Sequence, residues 1–519
     1  MTQRLILLHL TATVAMFAQP PQPPKPLTPS DRPDVQTLSR TVQALRRSSP
    51  INGDVAIQTD KLMQDATTLL TIGQAGEARR KLAHAQALIT SSPWEPKDEF
   101  LWSLAFHPRQ VVMEPSHPLL VEVSQLYPAP YSSTGLRVRL TLLTADRDSK
   151  PIRELGMFDV PARDLIVDPC IAQFNLSTTP DGTYRLNAEL VDDGKTLVTL
   201  QQTIAVAEGI ELRSSDVEQR LGKIKGFESA KASVRWPFDM ARVVNTGIRK
   251  LETNDFGLPE SGAQYFDFGK ELRESNQILK ALESGKDPLV RAKGDQERHY
   301  WFAEAGEIMP YRVYVPTNWD GKKQLPMIFV LHGTTRDHNF YFDRDGGLLA
   351  KLAEKYGYIV ATTMGYRPNA GYNAGARTSA QRRDGDLSEK DAMQSLDLIV
   401  NEFHPDPARI YLFGHSAGGT GGWYLGGKYG DRFAGLALSA FNTQPASVPF
   451  EKLKGVPLLV IVGSKDSPRT VETARTMAKA VAEKGFETQF LEVAEATHDT
   501  IVSLALPTVF QFFNTHHRQ

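Results

Sequence analysis

The hydrophobic period changes along the chain. Over residues 34–92 apolar positions recur at steps of three and four: Leu62, Ala66 and Leu69, then Ala78, Leu82, Ala85 and Leu88. That spacing lines one face of a helix. Gly73 and Gly76 interrupt the run, so a helical hairpin is expected. Over residues 95–208 the period becomes two. Leu136, Val138, Leu140 and Leu142 alternate with Arg137, Arg139 and Thr141, and Tyr184, Leu186, Ala188 and Leu190 repeat the pattern. Alternation means strands with one buried face. Turn signals at Pro180-Asp181-Gly182 and Asp192-Asp193-Gly194 separate them, and the segment reads as an Ig-like β-sandwich. Residues 209–290 return to helical spacing, for example Leu272 through Leu282, and read as a helical connector.

From residue 296 to 519 strands and helices alternate. Strands are expected at Tyr311–Val315, Met327–Leu331, Tyr358–Thr362, Ile410–Phe413, Gly435–Ser439, Leu458–Val462 and Glu487–Val493. Helical patterns fall between them, at 348–356, 388–403, from Ala417 onward, at 471–484 and at 501–513. The order implies an α/β domain with a mostly parallel, doubly wound sheet, covered by helices on both faces. Ligands of such a sheet bind at the carboxyl ends of its strands.

The start of the chain carries an address. Residues 1–18 hold one charge, Arg4, and a mostly apolar run from Leu5 to Phe17. That is the form of a cleaved signal peptide, so a secreted or periplasmic protein is expected. Residues 19–33 contain seven prolines and read as an extended linker. No other stretch approaches 18 apolar residues, so no membrane span is expected. Lys and Arg number 59 against 60 Asp and Glu, a net charge of −1, which gives no reason to expect a nucleic-acid partner. The single cysteine, Cys170, excludes an internal disulfide and a cysteine-rich metal site.

One cluster of motifs carries chemistry. Gly414-His415-Ser416-Ala417-Gly418 follows an apolar strand and opens a helix, the strand–turn–helix context of a nucleophile elbow. Small residues at 414 and 418 let the chain turn sharply and leave the Ser416 hydroxyl exposed. A serine needs a base and a group that orients the base. His498 follows the last strand and is the candidate base. His332 precedes the oxyanion loop, His415 is expected to face away from the nucleophile, and His516 and His517 lie at the terminus. Asp466 ends the strand Leu458–Val462 and is the candidate acid; Asp499, the neighbour of His498, is its competitor. Leu331-His332-Gly333-Thr334-Thr335 resembles an oxyanion loop. The amides of Thr334 (with Thr335 as the alternative) and Ala417 are its expected donors. No metal-ligand spacing and no phosphate-cradling glycine motif occurs, so neither metal nor cofactor is expected.

With these residues in place, 296–519 resembles a secreted α/β-hydrolase of the feruloyl esterase and polyhydroxybutyrate depolymerase type. The resemblance rests on PYRVYVPTNWDGKKQLPMIFVLHGTT, HPDPARIYLFGHSAGGTGGWYLGGKYGDRFAG and VIVGSKDSP with ATHD. The same segments are similar to the catalytic domain of prolyl oligopeptidase-type enzymes. The resemblance implies a Ser416–His498–Asp466 triad, acyl-enzyme chemistry and a small-molecule or polymeric ester as partner. A serine peptidase is the alternative, although no repeat of propeller-blade length precedes the domain. A non-catalytic binding protein would need none of these residues. Tyr341, Tyr366 and Tyr372 are candidate substrate-lining residues, with Thr335 beside them. Arg367, Arg377, Arg382 and Arg383 of the long segment 364–387 are candidates for holding a carboxylate.

Overall fold

Met327–Leu331 is apolar at every position, and every position is buried. Such a strand belongs in the middle of a parallel sheet covered on both faces. A computed structural model describes residues 6–8, 25–31, 35–131, 133, 135–145, 148–161, 164–251, 267–375 and 379–518. Most of the expected leader and the start of the proline-rich segment lie outside the described residues.

The described chain separates into two units, one of residues 1–14, 217–236 and 275–519 and the other of residues 15–216 and 237–274. In the first unit the strands are β1 (Gly294–Phe302), β2 (Glu307–Val315), β3 (Met327–Leu331), β4 (Ile359–Thr363), β5 (Ile410–His415), β6 (Gly435–Ser439), β7 (Leu458–Gly463) and β8 (Thr488–Val493). Their order in the sheet is β1-β2-β4-β3-β5-β6-β7-β8, and Ile6–Leu8 pairs in parallel outside β8. β1, β2 and β4 pair antiparallel, and from β4 through β8 every pairing is parallel.

Period-two alternation along the central strands feeds two cores. Phe329, Leu412, Leu438 and Val460 face one side, with Leu396 of α2 (Ser379–Phe403), Trp423 of α3 (Ala417–Tyr429) and Met477 of α4 (Pro468–Glu483). Val330, Tyr411, Phe413 and Ile461 face the other, with Leu349 of α1 (Leu348–Tyr356) and Val509 of α5 (Ile501–Thr515). Local chemistry sets the helix ends. α4 starts at Pro468 after Ser467, whose hydroxyl accepts the Thr470 amide. α1 stops at Gly357, which takes a left-handed φ of 71°.

The strands from β3 onward match the expected spans within a residue or two. Elsewhere β1 was not anticipated, β2 begins at Glu307 instead of Tyr311, α4 begins at Pro468 instead of 471, and α2 begins at Ser379 instead of 388, which shortens the loop after β4.

The second unit holds the helices Val35–Ser48, Gly53–Thr71, Ala75–Ile89 and Pro96–Ser103. It also has a three-stranded and a five-stranded sheet. Leu38 and Leu82 from the helices share one core with Val121 and Val123 of the smaller sheet and Leu140, Leu186 and Ile204 of the larger. The segment expected to be a hairpin thus contains three helices. Residues 209–290 are divided between the units. Among the described residues no helix is long and apolar enough to cross a membrane.

Candidate active site

Sheet register brings four loops to one end of the strands. Leu331 pairs with Gly414, His415 with Ser439, and Gly463 with Val493. The chain leaves β3, β5, β7 and β8 at the same carboxyl edge of the sheet, with β6 between β5 and β7.

Ser416 stands alone between β5 and α3, at φ 58° and ψ −120°. A side chain in that region costs on the order of 1–3 kcal/mol and persists only where the surroundings impose it. The surroundings here are two close backbone approaches. A Cβ on Gly414 would lie 2.2 Å from the Gly418 carbonyl oxygen, and one on Gly418 would lie 2.2 Å from the Leu331 carbonyl oxygen. Glycine at both positions is therefore a steric requirement of the turn. The Ser416 amide donates to the Ser439 carbonyl at 2.9 Å and ties the elbow to β6.

His498 Nε2 lies 3.0 Å from Ser416 Oγ, and its Nδ1 lies 2.7 Å from Asp466 Oδ2. With Asp466 ionised, Nδ1 carries the proton and Nε2 accepts from the serine hydroxyl. The Asp466 side chain is 4% exposed and that of His498 is 40% exposed. The carboxylate is shielded while the imidazole edge reaches solvent. The second Asp466 oxygen accepts the Ser467 amide at 2.6 Å.

The loops that carry Asp466 and His498 are bonded to each other. The Ser464 amide donates to the Val493 carbonyl, the Lys465 amide to the Ala496 carbonyl and the Glu495 amide to Ser464 Oγ, each at 2.9 Å.

Across the elbow, Gly333 packs directly on the nucleophile. A Cβ at this glycine would be 3.2 Å from Ser416 Cβ. The Gly333 carbonyl accepts the Arg336 amide at 3.2 Å and faces His332 Nδ1 at 2.9 Å. A trans peptide points its N–H opposite to its C=O, so the Thr334 N–H is turned away from these two groups. Among the described residues the Thr334 and Ala417 amides donate to no protein group. The Thr335 amide is engaged, donating to Asn369 Oδ1 at 3.0 Å and to the Pro368 carbonyl at 3.3 Å. This removes Thr335 as the alternative donor.

The three tyrosines expected to line a substrate are buried instead. Tyr372 is 1% exposed, and its hydroxyl accepts the His332 amide at 3.0 Å, so it braces the loop from beneath. Tyr366 packs on Phe302, and its amide donates to Asp391. Tyr341 packs on Phe413. Burial pushes the Tyr372 hydroxyl well above its ordinary pKa, so it stays protonated. Of the candidate arginines, Arg367 is paired with Glu307, Arg382 and Arg383 are exposed on α2, and Arg377 lies outside the described residues.

His415 does not face away. It is buried, its Nδ1 lies 3.2 Å from Ser439 Oγ, and its ring centroid is 4.8 Å from that of His498. Burial, with the neighbouring His498, Arg344 and Arg336 acting in the same direction, holds its pKa well below the ordinary value.

No protein-family model matches the chain, and no curated protein matches it. Solved structures similar to it include an S-formylglutathione hydrolase from Staphylococcus aureus, at 16% identity over 42% of this chain and 98% of that one, with a TM-score of 0.36. A CE1 ferulic acid esterase from the anaerobic fungus Anaeromyces mucronatus is similar at 15% identity over 44% of this chain and 93% of its own, with a TM-score of 0.36. A thermostable esterase is similar at 12% identity over 80% of this chain and 100% of its own, with a TM-score of 0.37.

Proposed function

We propose that the protein is a serine hydrolase that cleaves carboxylic esters. The observation that carries this reading is the continuous line from Asp466 through His498 to Ser416, at 2.7 and 3.0 Å, ending on a serine held at φ 58°. Ser416 Oγ attacks the ester carbonyl while His498 Nε2 takes its proton. Asp466 keeps Nδ1 protonated and stabilises the imidazolium. The negative oxygen of the tetrahedral intermediate sits between the Thr334 and Ala417 amides, each typically worth about 3–4 kcal/mol in the transition state. His498 returns the proton to the departing alcohol. Water then repeats the sequence on the acyl-enzyme and releases the acid. Every step is proton transfer and acyl transfer carried by this chain's own groups. The half-exposed imidazole fits a small-molecule or polymeric ester that approaches from solvent. The leader-like residues 1–18 support a secreted or periplasmic enzyme.

The test compares the protein with Ser416→Ala on a short-chain 4-nitrophenyl ester and on a prolyl 4-nitroanilide. Ester turnover is expected to fall by at least about 10³-fold in the variant, with the anilide untouched by both. Serine-dependent cleavage of the anilide would replace the reading with a peptidase. Ester turnover that survives the substitution would overturn it.

A further inference from the structure

Arg336 is an arginine at the rim of this site with no acidic partner. It lies at the end of the turn that starts at Gly333, closed by its own amide on the Gly333 carbonyl at 3.2 Å. Gly333 is the residue that packs on Ser416. The guanidinium lies over the Phe340 ring, 4.4 Å from its centroid, and is half-buried there. Among the described residues it makes no ion pair and no side-chain hydrogen bond. Its charge is felt at the buried His415, which touches His498.

The neighbouring charges are otherwise engaged or remote from it. Arg344 lies over the same Phe340 at 5.0 Å, but its guanidinium is tied to Asp345 Oδ2 at 2.7 Å and to the Asp499 carbonyl at 3.0 Å. Asp337 is buried and accepts the Asn339 amide at 3.0 Å. The exposed Asp499 carboxylate forms no ion pair with either arginine. An aromatic ring fixes the plane of the free guanidinium without using its donors. A guanidinium held that way offers a fork matched to a carboxylate.

We propose that Arg336 is a specificity-determining residue, and that the ester cleaved at Ser416 carries a carboxylate which Arg336 holds. The proposal rests on the ester-hydrolase reading. It narrows the substrate class from carboxylic esters in general to half-esters of dicarboxylic acids or esters of carboxylate-bearing alcohols.

The experiment measures kcat/KM for two matched pairs. A carboxylate in the acyl part is tested by 4-nitrophenyl hydrogen glutarate against 4-nitrophenyl valerate. A carboxylate in the alcohol part is tested by 4-acetoxybenzoate against phenyl acetate. The protein is expected to favour the anionic member of one pair, with a charge-assisted contact giving about tenfold or more. Arg336→Gln should lower that anionic-to-neutral ratio about tenfold, and Arg336→Lys should retain part of it. Added salt should lower the ratio in the protein and leave it flat in Arg336→Gln. Thermal melts of both variants show whether they fold. A neutral preference in both pairs, or the same ratio in Arg336→Gln, overturns the proposal while serine-dependent turnover of the neutral esters keeps the hydrolase reading. Absence of serine-dependent turnover on all four esters overturns both.

Discussion

His415 is one position from the nucleophile, yet its effect belongs to stability as much as to the site. Burial keeps its folded pKa well below 6.5, its ordinary value. Below pH 6.5 the unfolded chain takes up a proton at this residue and the folded chain does not. Stability therefore falls as pH drops below about 6.5 and is regained above it. His332, whose pKa is also lowered by burial, has the same sign. His338 has the opposite one. Burial acts against it, but the hydrogen bond and charge of Glu297 leave its pKa raised, so its contribution is present below 6.5 and lost as pH rises through the folded pKa. His415→Gln should therefore shrink the difference between urea midpoints at pH 7 and pH 5. A pH dependence equal to that of the unsubstituted protein would show that His415 titrates normally when folded. The contact of His415 with His498 was within reach of the sequence. Tyr411 and Phe413 face the core beneath α5, and His415 is the next residue on that side of β5 by simple alternation. Reading position 415 only as the variable residue of a motif hid this.

At the scale of elements the site depends on how closely neighbouring loops approach. Gly463 ends β7, and a Cβ there would be 2.3 Å from the Ala496 carbonyl oxygen. The same Ala496 carbonyl accepts the Lys465 amide. Gly463→Ala must push the loop carrying Asp466 away from the loop carrying His498. A displacement near 1 Å at a catalytic group costs about 10²-fold, so kcat should fall by about that factor with KM little changed. Circular dichroism would check that the fold persists. A variant with normal kcat would mean the two loops shift together.

The elements themselves were legible where chemistry is local. β3, β6 and β7 are apolar runs with turn residues at both ends, and Gly-x-Ser-x-Gly between a strand and a helix has few other meanings. The first nine residues of α2, SAQRRDGDL, were not legible, because they are nearly all polar and include Gly385. Their helix has tertiary contacts such as that of Asp386, whose carboxylate accepts from the Asn373 side-chain amide at 2.9 Å. The burial of Tyr366 and Tyr372 was hidden for the same reason. An aromatic residue in a loop has no period to reveal which way it turns.

For the whole molecule, the boundary at residue 296 suggested by alternation cuts through a physical unit. Residues 217–236 and 275–295 belong with the sheet. Trp236 is buried with its ring 4.5 Å from that of His299 on β1, and Ser229 and Ser233 bond the same histidine. Arg298, 1% exposed on its side chain, pairs with Glu402 at 2.9 Å and donates to the Leu289 carbonyl. A fragment of residues 296–519 keeps Ser416, Asp466 and His498 but loses Trp236, Leu289 and the first two residues of β1. Removing a buried aromatic of this size costs about 3–5 kcal/mol, and a buried arginine deprived of a partner adds to it. The fragment should therefore melt at least about 6 °C below the corresponding transition of the full chain, or fail to stay soluble. Labelling of Ser416 by a fluorophosphonate should be lost at that lower temperature. Equal melting would mean that the helices before β1 pack on the sheet without stabilising it, and that the boundary read from alternation is the energetic one.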